Sequence, residues 1–280
     1  AEAARKEEAK QRAIADQSDF KYPIPWTTLS EYLTHLEQRG VSQNVSSFIG
    51  AATIRTYVLG REDKQPNSAE LEEMRDLVRR EMAAGALGIS TALIYAPGAY
   101  ATTEELIELC KVAAGYQGKY ISHVRHEDAR VIEAVAELIR ISREAGLPAE
   151  INHLKVAGKK NWGKLDQVLA MVESARKEGL KITANMYLYT AGSNGLSASI
   201  PAWAHSGGGA ALYKRLEDPE TRGRISREMQ ARGAMPRTLL VRFRSEKLRG
   251  LTGKTLEDVA RERGQSEVET LLDLVREDRS

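Results

Sequence analysis

The sequence predicts an α/β protein, a (β/α)8 barrel of the TIM type that this chain fills only in part. Three observations point there. Short apolar segments beginning near Asn44, Leu87, Lys119, Ala149 and Leu180 alternate with longer stretches of helical periodicity. Strands joined through helical crossovers lie parallel. The two central segments, KYIS and AEIN, each run into a histidine, His123 and His153, at the carboxyl edge where such sheets place their chemistry.

Each element has its own justification. Residues 1–26 form a lead-in: a charged helical run to about Asp19, then FKYPIPW from Phe20, held extended by two prolines. Thr27 or Thr28 caps a helix through Gln38 with Leu29, Tyr32, Leu33 and Leu36 on its apolar stripe. NVSSFI, Asn44 to Ile49, reads as a buried strand. Ser68 with Glu70 and Glu72 opens a helix to Ala84, and LGISTAL, Leu87 to Leu93, is the next strand. Thr102 and Thr103 open a helix to Ala114. Between the two histidine strands, Val131, Ile132, Ala134, Val135, Leu138, Ile139 and Ile141 recur at helical spacing, and Gly146 with Pro148 supplies the stop. A helix from Leu165 to Lys177 leads to a strand in LKITANMY. The loop of residues 188–209 is too long for a passive connection and reads as an active-site lid. Helices near Ala210 to Leu216 and Pro219 to Ala231, a strand at Thr238 to Phe243, and helices near Thr255 to Arg263 and Glu267 to Arg276 complete the chain.

The bulk numbers exclude several classes. The 280 residues carry 41 basic and 39 acidic side chains, so no field pulls the chain toward nucleic acid or an anionic membrane. No apolar run approaches the roughly 20 residues needed to cross a bilayer, so the expectation is a soluble protein, cytoplasmic by default. Its first residues read as a charged helix and not as a signal peptide. One cysteine, Cys110, sets up no disulfide framework and leaves the compartment open. It falls on a predicted helix as a small core residue.

Two imidazoles at equivalent points of consecutive βα units can share a divalent metal, because a neutral ring nitrogen ligates zinc. Taken singly, each histidine also reads as an ordinary polar residue at a strand end. His35 reads as structural.

Four segments taken together, GISTALIYAPGAY, YISHVRHE, AEINHLK with its downstream NWGKLD, and ITANMYLYTAGSNGL, resemble the N-acyl-D-amino-acid deacylases (D-aminoacylases) of the amidohydrolase superfamily. The likeness runs from PIPWTTLSEYL to LTGKTLEDVARERG, with the histidines 30 residues apart. It implies a zinc-dependent barrel enzyme that hydrolyses small N-acyl-D-amino acids by metal-activated water attack on the amide. His123 and His153 are then metal ligands, and Tyr95, Lys155, Tyr187 and Ser193 hold the substrate carboxylate. A carboxylate needs a cation and hydroxyl donors, which these side chains offer. Arg125 and Glu127 flank the first ligand and are expected to pair in its support; His126 is not taken as a ligand. The family's His-x-His and metal-bridging cysteine have no match here, and its general-base aspartate is expected beyond Ser280. The sequence therefore reads as the central portion of a longer enzyme, residues 1–280 forming one partial barrel domain. The alternative is a non-catalytic barrel piece or binding scaffold. A nucleotide-binding reading of LTGKT fails because Leu248 stands where a phosphate loop needs glycine. Acyl group, metal count and oligomeric state are left open by the sequence.

Overall fold

Five parallel strands in the order of the sequence, β1 to β5, make the sheet around which the first part of the chain is built. The computed structural model describes residues 2–15, 17, 21–233 and 237–279; the lead-in expectations at Ala1, Asp16 and Ser18 to Phe20 lie outside the described residues. The chain divides into two compact units, Ala1–Gly60 with Lys64–Leu188, and Arg61–Asp63 with Tyr189–Ser280.

The first unit runs α1 (Glu2–Ala15), α2 (Leu29–Arg39), β1 (Ile49–Gly50), α3 (Ala51–Leu59), α4 (Ser68–Ala83), β2 (Gly88–Ala92), α5 (Thr103–Ala114), β3 (Lys119–His123), α6 (Val131–Ala145), β4 (Ala149–Ile151), α7 (Leu165–Lys177) and β5 (Ile182–Ala184). Local chemistry sets most of the boundaries. Thr28 caps α2 and Asn67 caps α4, each in a reciprocal capping box with a glutamate three residues on, Glu31 and Glu70. Thr102 caps α5, and Gly146 ends α6 in the left-handed conformation. Helix α3 was not among the sequence expectations. Its Thr53, Ile54, Thr56 and Val58 are β-branched and poor helix formers, but burial of Ala51, Ile54, Arg55 and Leu59 outweighs that preference.

Register sorts the sheet into two faces. Ile89, Tyr120, Ala149 and Ile182 lie side by side across four strands, all buried against the helices with Leu106, Val135, Leu138 and Val168. One residue further along each strand, Ser90, Ile121, Glu150 and Thr183 pair in the same register and face the opposite side. His123 lies two residues beyond Ile121 and shares that second face. A sheet whose order follows the sequence, with helices between successive strands, winds in one sense as a barrel does. At Gly88 the strands approach so closely that an added Cβ would lie 1.9 Å from the Lys119 carbonyl oxygen, and φ there is +140°.

The second unit contains α8 (Gly209–Glu217), α9 (Pro219–Ala231), α10 (Leu256–Arg263) and α11 (Glu267–Asp278). Leu212, Leu216, Ile225, Met229, Leu256, Leu271 and Leu272 form its core. Two strand expectations need correction. Asn44 to Phe48 is not strand; only Ile49 and Gly50 pair, with Ile89 and Ser90. Thr238 to Phe243 makes a single antiparallel bridge, Leu239 to Thr255. Its alternation is real, with Leu240 buried and Leu239 and Val241 exposed, but its hydrogen bonds go to the turn before α10: Leu240 N–H donates to Lys254 and Leu256 N–H donates to Thr238. The loop of residues 188–209 holds two 3-10 turns, Leu196–Ser199 and Ala202–His205.

Candidate metal centre

Strand β3 delivers His123 as its last residue, on the face turned from the helices. His153 stands two residues past the end of β4 and takes φ +39°, in the left-handed region that side-chain-bearing residues seldom adopt. Asn185, just beyond β5, accounts for that conformation. Its Oδ1 accepts the His153 backbone N–H at 2.6 Å, while its Nδ2 donates to Glu150 and Asn152 at 2.6 and 2.8 Å. The polar face of the sheet thus braces the loop that carries the second histidine.

The two rings meet edge to face, with centroids 4.5 Å apart. Between them comes Glu127. Its Oε1 lies 3.0 Å from His153 Nδ1 and 3.7 Å from His123 Nε2. One ligand atom from each of His123, Glu127 and His153 falls within 4.8 Å of the others. Two imidazole nitrogens and one carboxylate oxygen form a donor set suited to zinc. The strongest sign of fit is His123 Nε2, which is buried and has no hydrogen-bond partner. A buried polar atom without a partner is costly, and a cation relieves it.

Burial is the main cause that lowers the His123 pKa below the ordinary imidazole value; the Glu127 charge opposes this, and His153 and Lys155 reinforce it. The ring is therefore held neutral, with a lone pair to offer.

Lys155 Nζ donates to Glu127 Oε1 at 2.5 Å and to His153 Nδ1 at 2.9 Å. It also lies 5.4 Å from the centre of the Tyr187 ring, which stands 6.2 Å from the His153 ring. The Tyr95 ring is 5.7 Å from that of His123. Burial, and then the Glu127 charge, pushes its phenol upward, so it remains a hydroxyl donor. Of the sequence-predicted site residues, the fold gathers His123, His153, Tyr95, Lys155 and Tyr187 in the first unit. Ser193 is exposed in the second unit.

Arg125 and Glu127 do not pair with each other. The Arg125 guanidinium forks onto Glu137 of α6 at 2.8 and 2.9 Å and donates to the carbonyls of Ala99 and Ala101 at 2.9 and 2.8 Å. It pins the loop after β2, which carries Tyr95. Glu127 is left as the hub of the histidine pair. Sequence reasoning had placed Glu127 only as support, and it missed Asn185. The one signal for Asn185 was its position at the carboxyl end of the next strand, equivalent to those of the histidines.

Known proteins resemble this chain in sequence and in fold. No protein-family model matches the chain. Over 164 residues it is 36% identical to a D-aminoacylase of Alcaligenes xylosoxydans xylosoxydans, covering 59% of this chain and 34% of that one. An N-acyl-D-glutamate deacylase of the same organism is 31% identical over 204 residues, 73% of this chain and 41% of the relative. The chain thus spans well under half the length of these curated relatives. Among solved structures, an N-acyl-D-glutamate deacylase from Bordetella bronchiseptica, in complex with zinc and a phosphonate mimic of the tetrahedral intermediate, superposes with a TM-score of 0.72 at 26% identity, over 92% of this chain and 47% of that chain. A D-aminoacylase structure described as defining a novel subset of amidohydrolases gives 0.70 at 30% identity, over 89% of this chain and 45% of that one. The ordered parallel sheet and these likenesses agree: over most of its own length the chain is similar to the N-acyl-D-amino-acid deacylases (D-aminoacylases) of the amidohydrolases.

Proposed function

We propose that this chain carries the central part of a zinc-dependent amidohydrolase that removes the acyl group from small N-acyl-D-amino acids. The observation that carries the reading is the convergence of His123, Glu127 and His153 within 4.8 Å, with His123 Nε2 buried and unpartnered. The B. bronchiseptica deacylase is complexed with zinc, and another related D-aminoacylase structure concerns a binuclear metal centre. The metal, when bound, supplies a water acidified to about neutral pH and a Lewis acid for the amide carbonyl. His123 and His153 hold it through ring nitrogens, and Glu127 adds a carboxylate oxygen.

The remaining residues bind and orient. Lys155 provides the cation for the substrate carboxylate, and Tyr95 and Tyr187 provide hydroxyl donors. Tyr95 suits this because its phenol keeps its proton. Recognition of a small anionic substrate also accords with the near-neutral net charge of +2, which provides no broad basic surface for a polyanion. Among the described residues, no helix is long and apolar enough to cross a membrane.

The test is turnover of N-acetyl-D-amino acids by the zinc-loaded protein, with His123→Ala and His153→Ala as controls. Hydrolysis that either substitution abolishes supports the reading. Turnover unchanged in both variants overturns it, and zinc binding without hydrolysis leaves a binding scaffold.

A further inference from the structure

We propose that Lys155 and a divalent metal compete for the same two side chains, so that metal binding displaces the Lys155 ammonium from Glu127 and His153 and releases it for an anionic ligand. This inference rests on the metal reading above and adds a coupling between the metal and the lysine that the reading does not contain.

The geometry has one reason to be arranged this way. An ammonium only donates hydrogen bonds, so at 2.9 Å from Lys155 Nζ the His153 Nδ1 atom must offer its lone pair. Glu127 Oε1, 3.0 Å from that nitrogen, is an acceptor as well. Two lone-pair atoms this close repel each other unless a positive charge lies against both. Lys155 is that charge, 2.5 Å from the oxygen and 2.9 Å from the nitrogen. A divalent metal needs the same carboxylate and the same imidazole. It also repels an ammonium at contact distance, and the more so where the groups are half-buried; Lys155 and Glu127 side chains are 23% and 14% exposed.

Lysine suits such an exchange. Its charge is a compact point on a flexible stem, so Nζ can withdraw without breaking a bidentate fork. It has somewhere to go, since the Tyr187 ring already stands within cation–π range, 5.4 Å away. Linkage then follows. If metal frees the ammonium, metal raises affinity for a carboxylate ligand, and the carboxylate raises affinity for metal by the same factor.

The experiment is calorimetric titration of the chelator-stripped protein with Zn²⁺, in the wild type, Lys155→Met and Lys155→Arg, folding being checked by circular dichroism. Lys155→Met, which removes the competing charge, is expected to bind zinc at least tenfold more tightly. Lys155→Arg keeps a cation at the site and is expected to stay within about threefold of wild type. If Lys155→Met does not fold, Lys155→Gln serves the same purpose. Equal or weaker zinc binding in the uncharged variants overturns the displacement. If wild type binds zinc, His123→Ala abolishes that binding and Lys155→Met changes nothing, the metal reading stands and this inference falls. If neither wild type nor Lys155→Met takes up zinc, both fall.

Discussion

Replacing Arg125 with alanine tests whether the site's scaffold is built as described. The side chain is 21% exposed and its partner Glu137 11%. The substitution removes a bidentate ion pair and two hydrogen bonds to the carbonyls of Ala99 and Ala101, leaving Glu137 with Thr103 Oγ1 as its remaining side-chain donor. Breaking a buried pair from one side costs about 3–5 kcal/mol, and the partial exposure here places the expected loss near the lower end, about 3 kcal/mol. With a urea dependence near 3 kcal/mol per molar, the unfolding midpoint falls by about 1 M. Arg125→Lys recovers less than half of that, because an ammonium cannot make the fork. Removing Glu137 as well adds little, since the two act as one unit. Hydrogen exchange should quicken over residues 93–101, the loop that Arg125 pins, before it does elsewhere. A midpoint shift below about 0.3 M, or exchange unchanged over that loop, refutes the reasoning.

Three other outcomes follow from the same structure. Gly88→Ala drives a Cβ to 1.9 Å from the Lys119 carbonyl at φ +140°; expression of soluble protein, or its near-ultraviolet dichroism, should be lost, and a well-folded variant contradicts the β2–β3 register. Asn185→Ala frees the His153 backbone from its only side-chain acceptor among the described residues and should weaken zinc binding about 10–100-fold by calorimetry, with little effect on the melting temperature. Arg55 and Glu105 form a buried ion pair, and burial pushes the Glu105 carboxyl above its ordinary value despite the guanidinium. Arg55→Met alone should destabilise by about 3 kcal/mol or more, while Arg55→Met with Glu105→Leu should regain most of it in urea denaturation.

Much of this architecture is legible in the residues because local chemistry and global packing agree. Thr28, Thr102 and Gly146 act as caps where the sequence places them, and α7 and α9 begin and end where periodicity indicates. Failures occur where pairing decides. NVSSF has the composition of a strand, but β1 pairs with β2 alone and only over two residues. Thr238 to Phe243 alternates correctly but, among the described residues, makes a single bridge, Leu239 to Thr255, and no strand pairing. Helix α3 is carried by burial against its propensity. At the site, the histidine pair is placed by its position at strand ends, whereas Lys155 is picked out only by the family resemblance. The partners of Arg125, Glu127 and Asn185 are not readable, because Glu137 and the Ala99 and Ala101 carbonyls are brought near only by the fold.

The account depends on the histidine pair holding a metal. Its most direct test is the zinc retained by the purified protein after exhaustive dialysis, measured by atomic emission in wild type, His123→Ala and His153→Ala. At least one equivalent in wild type and less than a tenth of that in each variant is the predicted result. Wild type without zinc, or variants that keep it, would contradict the claim.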